Sequence, residues 1–106
     1  MVVMKKDMFK IGDIVQYIRK SSFEENYYAV KDSYAHRMSI CNDLCVDDAF
    51  TNMEIIDVVH DGEDYPDAMF PRTNKSGQTI YVTKIDKPNT YEYYFREDEL
   101  LLVKTK

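Results

Sequence analysis

The sequence predicts a small, mainly β protein in which short antiparallel strands form a barrel or a barrel-like sandwich. Several segments alternate apolar and polar residues with the two-residue period of a strand, and turn residues separate them. Nine tyrosines and five phenylalanines, with no tryptophan, are typical of a pleated sheet with one edge in water. Because no segment has a convincing amphipathic helical pattern, about six or seven short strands are expected.

Length and composition predict a single domain that covers residues 1–106. A chain of 106 residues, 44% apolar and 31% charged, is long enough for one hydrophobic core and too short for two. Its apolar runs are far shorter than the roughly 20 residues that cross a bilayer, and the N-terminal MVVMKKD lacks the features of a signal peptide. We therefore expect a cytoplasmic protein with no membrane contact.

The first half of the chain contains four predicted strands. FKIGDIVQYI (9–18) starts with a turn at Gly12 and continues with alternating β-branched and aromatic residues. Two further strands, at 28–30 and about 37–41, are predicted to form a hairpin around a turn at KDSY. MEIIDVV (53–59) has large apolar residues at neighbouring positions, which indicates a strand buried on both faces.

The second half begins with a long irregular segment and ends in three strands. The segment 60–77 contains two prolines at a spacing that excludes a regular element, so it is predicted to be a loop. QTIYVTKID (78–86) and TYEYYF (90–95) predict a hairpin around the turn KPNT. EDEL (97–100) predicts a turn, and LLLVKT (100–105) predicts the last strand.

The two ends of the chain resemble the SH3-like small β-barrels, a group that includes many small accessory proteins of bacteriophages. The resemblance is carried by FKIGDIVQYI at the start and YYFREDELLLV at the end. It implies that the acidic turn is a short helical turn and that the following strand pairs with the first. It carries almost nothing about function.

The middle of the chain departs from this resemblance. The connection formed by residues 42–76 is longer than a minimal barrel requires, so part of it is expected to be an acidic segment added to the barrel. A competing register closes a barrel early, with MEIID as its final strand, and leaves 60–106 as an added hairpin unit.

Negative charge is concentrated in the middle of the chain. Between Arg37 and Arg72 there is no lysine or arginine, and the nine carboxylates give this segment a charge of −9. The remaining residues, 14 basic and 10 acidic, carry +4, which together give the net charge of −5. Such segregation costs self-repulsion and projects a field that attracts a cationic partner.

Two interpretations of this acidic segment remain open. A solvated loop that only aids solubility is one, and a contact face for a basic protein surface is the other. The candidate partner-binding residues are Asp47, Asp48, Asp61, Glu63, Asp64, Tyr65 and Asp67.

The sequence predicts neither a cofactor, a metal site nor catalysis. Cys41, Cys45, His36 and His60 could supply sulfur and nitrogen ligands, but the histidines lack the paired spacing of zinc sites. HDGEDYPD also lacks the ligand spacing of a calcium loop. Nothing in the spacing brings a histidine to a cysteine nucleophile, and a glycine-rich phosphate loop is absent from the sequence.

These observations predict a non-enzymatic protein-binding module, of the form of a small phage-type inhibitor or modifier of a host protein. The alternative is a nucleic-acid-binding small β-barrel, whose tyrosines would stack on bases next to arginines. The net charge of −5 opposes contact with phosphates, so a nucleic-acid partner is disfavoured. The residues that the alternative requires are Tyr27, Tyr28, Tyr34, Tyr91, Tyr93, Tyr94, Arg37 and Arg96.

Overall fold

The described part of the protein is a single five-stranded antiparallel sheet. The computed structural model describes residues 7–18, 34, 51–66, 72–85 and 92–105. The strand order is β4-β3-β2-β1-β5 and every neighbouring pair is antiparallel. The strands are β1 (Ile14–Tyr17), β2 (Met53–Val59), β3 (Ile80–Ile85), β4 (Glu92–Arg96) and β5 (Leu100–Lys104), with a 3-10 turn at Glu97–Glu99 between the last two.

The mainly β, antiparallel prediction is therefore confirmed. The strands expected within 9–18, at 53–59 and within 78–86 are present, and so are the last two strands with a short helical turn between them. β5 pairs with β1, as the resemblance of the two ends implies. The hairpin predicted at 28–30 and 37–41 lies outside the described residues.

The competing register is wrong. It treats MEIID as a closing strand, but β2 lies in the centre of the sheet, between β1 and β3. The barrel expectation is also corrected, because the described strands form an open sheet in which the edge strands β4 and β5 are not paired.

Although it is open, the sheet must curl. β4 and β5 lie at opposite edges, and in a flat sheet four strand spacings of about 4.8 Å would separate them by at least 19 Å or so. The 3-10 turn that joins them rises only about 2 Å per residue, which gives roughly 8 Å from Arg96 to Leu100. The short connection therefore brings the two edges together at this end.

A β-bulge in β2 explains why MEIIDVV does not alternate. Ile55 pairs with Thr83 and Asp57 pairs with the preceding residue of β3, so Ile56 has no partner of its own. The extra residue reverses which face the following side chains occupy. Val58 consequently packs on the same core as Ile55, and Val59 points to the opposite face.

The sheet is buried on both faces, with one apolar cluster on each side. On β3, Tyr81 and Ile85 belong to the first core, whereas Ile80 and Val82 belong to the second. The first core contains Phe9, Val15, Tyr17, Met53, Ile55, Tyr81, Ile85, Tyr93, Phe95 and Leu100. The second core contains Tyr34, Val59, Tyr65, Ile80, Val82 and Tyr94.

A buried carboxylate holds the turn between β4 and β5. Glu99 is 5% exposed, and its Oε1 accepts the backbone N–H of Arg96 at 2.9 Å. Both of its carboxylate oxygens lie 3.2 Å from the backbone nitrogen of Tyr34, and its carbonyl accepts the N–H of Ile18. Burial raises the pKa of Glu99, against the opposing effect of these hydrogen bonds and of the Arg96 charge.

We expect Glu99→Ala to lower the free energy of unfolding by about 2–4 kcal/mol, because two N–H groups lose their buried acceptor. Asp98→Ala is the matched control on the same turn, where the side chain is 75% exposed, and should cost less than about 0.5 kcal/mol. Urea denaturation of both variants measures the difference. Equal losses for the two variants would mean that Glu99 does not hold the turn.

Candidate functional site

The connection between β2 and β3 is organised by one buried amide. The Asn74 side chain is fully buried, and its NH2 group donates to the carbonyls of Val59 and Gln78, at 2.9 Å each. Its Oδ1 accepts the backbone N–H and the hydroxyl of Ser76. Both donors and both acceptor positions of the amide are therefore used.

The two arms of this connection also pair with each other through the backbone. Gly62 donates to the carbonyl of Asn74, and Asn74 donates to the carbonyl of Glu63. An isolated bridge joins Asp64 to Thr73. Gly62 has a φ of 89°, a left-handed conformation that a residue with a Cβ rarely adopts. The loop that the sequence predicts is thus irregular in its described part, but it is tied together.

Three of the candidate partner-binding carboxylates accept hydrogen bonds inside this loop. Glu63 Oε1 accepts the backbone N–H of His60 at 2.6 Å. Asp61 Oδ1 accepts the backbone N–H of Gly77 at 2.8 Å, and Asp64 Oδ1 accepts the Thr73 hydroxyl at 2.7 Å. All three residues remain exposed. The carboxylates therefore shape the loop and still leave oxygen lone pairs open to solvent.

His60 joins this loop to the segment that precedes β1. Its Nδ1 lies 2.7 Å from Glu63 Oε1, and its Nε2 lies 2.9 Å from Asp7 Oδ2. An ionised carboxylate can only accept, so both hydrogen bonds form together when the imidazole is protonated and each ring nitrogen donates. The hydrogen bond to Asp7, followed by that to Glu63, raises the pKa of His60. Hydrogen bonds from the backbone N–H and then the ring of His60 lower the pKa of Glu63.

An open cleft of about 280 Å³ lies beside His60. Its lining includes the carboxylates of Asp7, Asp61 and Glu97 and the chain from Gly77 to Thr79. Three stretches that are distant in sequence thus place negative charge around one concave surface.

The buried hydroxyl of Tyr81 fixes one wall of this cleft. It donates to Glu97 Oε2 at 2.7 Å and accepts the backbone N–H of Met8 at 3.1 Å. The Tyr81 ring packs edge-on against Phe9, with the centroids 5.2 Å apart. Burial, and then the bond to Glu97, raises the pKa of Tyr81, so the hydroxyl stays a donor.

Tyr65 is buried, whereas its predicted role in the contact face requires an exposed side chain. It is 7% exposed, its ring packs on Tyr94, and its hydroxyl is hydrogen-bonded to that of Tyr34. Burial raises the pKa of Tyr65. Because the second core covers the ring, Tyr65 anchors the acidic loop and does not present a surface.

The remaining candidate residues Asp47, Asp48 and Asp67 lie outside the described residues, as do Cys41, Cys45 and His36. Within the described ranges, no group of three or more histidine, cysteine or acidic side chains is arranged to hold a metal ion. In the same ranges, no helix is long and apolar enough to cross a bilayer.

The tyrosines of the nucleic-acid alternative are only partly described. Tyr34, Tyr93 and Tyr94 are 8%, 4% and 2% exposed, so their faces are not open to a base.

The Nε of Arg96, an arginine that the nucleic-acid alternative requires, lies 3.4 Å from carboxylate oxygens of Asp98 and Glu99. Nε makes no hydrogen bond, so these contacts are ion pairs by distance alone.

Sequence reasoning missed Asp7, Glu97 and Asn74. The first two reach the cleft through pairing between distant parts of the chain, which no local pattern encodes. Asn74 stands among turn residues whose composition indicates a loop and does not indicate which amide is buried. Comparisons with protein-family models, curated proteins and solved structures found no match to this chain.

We expect the pKa of His60 to lie above 6.5 in an NMR titration, and Asp7→Asn to move it back toward that value. Asp64→Asn is the matched control, since this carboxylate bonds Thr73 instead, and should leave the His60 pKa nearly unchanged. A wild-type His60 pKa that is not raised above 6.5 would contradict the hydrogen bonds from His60 to Asp7 and Glu63.

The two pKa directions also define a pH window for stability. The contribution of His60 to the free energy of unfolding is fully present below pH 6.5 and is lost as the pH rises through the raised pKa of His60. The contribution of Glu63 to the free energy of unfolding is present above pH 4.5 and is lost as the pH falls through the lowered pKa of Glu63. The melting-temperature difference between wild type and His60→Gln should therefore shrink toward high pH.

We expect Asn74→Ala to destabilise the fold by about 2–4 kcal/mol, because the buried carbonyl of Val59 loses the amide donor and the N–H of Ser76 loses its acceptor. Asn52→Ala is the control, since Asn52 is exposed and accepts one bond from the Gln16 side chain. Its cost should stay below about 0.5 kcal/mol in the same urea titration. A similar loss of unfolding free energy in both variants would mean that Asn74 does not organise the loop.

Proposed function

We propose that this protein is a non-enzymatic, cytoplasmic protein-binding module that presents an acidic face to a basic surface of another protein. The observation that carries the proposal is the cleft beside His60, where Asp7, Asp61 and Glu97 contribute carboxylates from three separate stretches of chain. Glu63 and Asp64 add two more exposed carboxylates on the adjoining loop.

The strand arrangement supports the SH3-like part of the proposal. The order β4-β3-β2-β1-β5, with a 3-10 turn before a last strand that pairs with the first, agrees with the resemblance of the two chain ends. In the proposed role the protein is a small phage-type inhibitor or modifier of a host protein, and the acidic cleft is the surface that it presents.

The fixed positions of the carboxylates favour binding. Gly77 holds Asp61, Thr73 holds Asp64 and Tyr81 holds Glu97, so little side-chain entropy remains to be lost when a partner docks. Carboxylates held in this way can stand where the phosphates of a nucleic acid would contact a basic surface. Their field also speeds the encounter with a cationic partner.

The test removes charge without removing the loop's hydrogen bonds. In Asp61→Asn/Asp64→Asn, the amide oxygens still accept from Gly77 and Thr73, and two negative charges are lost. Tagged protein is used to isolate partners from a bacterial lysate with and without nuclease, and association with a captured protein is then timed. We expect association to slow by roughly threefold or more at about 0.01 M salt, where screening is weakest, and to converge with wild type at high salt.

Glu54→Gln/Glu92→Gln is the matched control. It removes the same number of charges from strands β2 and β4, whose positions 54 and 92 both face Lys84 across the sheet. Its association rate should follow that of wild type. An unaltered rate for the loop variant across the salt series would leave the loop as a solvated segment, and capture that disappears with nuclease would support a nucleic-acid partner instead.

A further inference from the structure

The edge strand β5 exposes a run of apolar side chains. Leu101, Leu102 and Val103 are 52%, 49% and 48% exposed. β5 pairs with β1 along one edge, and no other strand in the described ranges pairs with its second edge. An exposed apolar edge strand is a template for another strand, and proteins usually protect it with charge or a covering segment.

Both faces of this edge are apolar. Leu102 lies opposite Val15, which is fully buried in the first core, so Leu102 is on the same face of the sheet as that core and is half-exposed at its margin. Leu101 lies opposite Gln16 and therefore faces the other side of the sheet. A strand added here would gain backbone hydrogen bonds and apolar contacts together.

The charges at the two ends of the strand are complementary to those of a second copy that pairs with it antiparallel. Asp98, at the start, is 75% exposed, and Lys104, at the end, is also exposed. When two copies of β5 lie antiparallel, Asp98 of each copy comes to the end of the contact where the other copy has Lys104. A parallel arrangement would place like charges together. We propose that β5 is a self-association edge, on which a second copy of this chain pairs antiparallel about a two-fold axis near Leu101, midway between Asp98 and Lys104.

Such a contact is isologous and continues the sheet from one copy into the other. It involves one strand from each copy, so its area falls below the 1,200–2,000 Å² or so of a standard stable interface. The dimer is therefore weak and depends on concentration.

The experiment measures the mass of the full chain by sedimentation equilibrium from about 5 μM to about 1 mM, which spans dissociation constants from micromolar to millimolar. Asp98→Lys alone and Lys104→Glu alone should each weaken the dimer by roughly tenfold, because each turns both charge contacts from attractive to repulsive. An equimolar mixture of the two variants should restore association, since each heterodimer again has opposite charges at both contacts.

Lys75→Glu is the matched control, because it makes the same charge change as Lys104→Glu on an exposed residue of the β2–β3 connection. It should associate as wild type does. Leu102→Asp should abolish the dimer while retaining the melting temperature of dilute wild type. If that variant fails to fold, Asp98→Lys, Lys104→Glu and their mixture test the proposal without it. A wild-type chain that stays monomeric throughout, or a mixture that does not recover association, would overturn the proposal.

Discussion

The short connection between the two edges of the sheet is the constraint on which the rest of this structure depends. Three residues of 3-10 turn join β4 to β5, although three other strands lie between them in the sheet. Only a strongly curled sheet satisfies both facts, and the bulge at Ile56 is a local device that increases twist and bending. The buried carboxylate of Glu99 then fixes the turn by accepting backbone N–H groups from Arg96 and Tyr34.

The same curl and pairing bring together the parts of the candidate site. The segment before β1 is held by the hydroxyl of Tyr81, which contacts Met8 and Glu97 at once. This contact places Asp7 within hydrogen-bonding distance of His60, at the end of β2. The cleft is thus a consequence of sheet geometry, and its charge comes from side chains that also have structural partners.

Structure and charge are combined in the acidic loop in a way that composition does not reveal. Asp61, Glu63 and Asp64 each accept hydrogen bonds from the loop itself, so the local repulsion of their charges is offset by bonds that the loop requires. When protonated, His60 adds a positive charge between Glu63 and Asp7. Replacement by amides therefore separates the two roles, because an amide oxygen retains the hydrogen bond and loses the charge.

Sequence alone determined the features that are local. The alternation in 14–17 and 80–85, the apolar-rich segment 53–59 and the acidic turn before the last strand each follow from composition, periodicity or turn chemistry, which neighbouring residues encode. Tertiary structure decided the rest. It placed β2 at the centre of the sheet, buried Tyr65 and Asn74, and paired His60 with Asp7 across 53 residues. These outcomes depend on which distant strands pair and where the sheet bends, and no local pattern specifies long-range pairing.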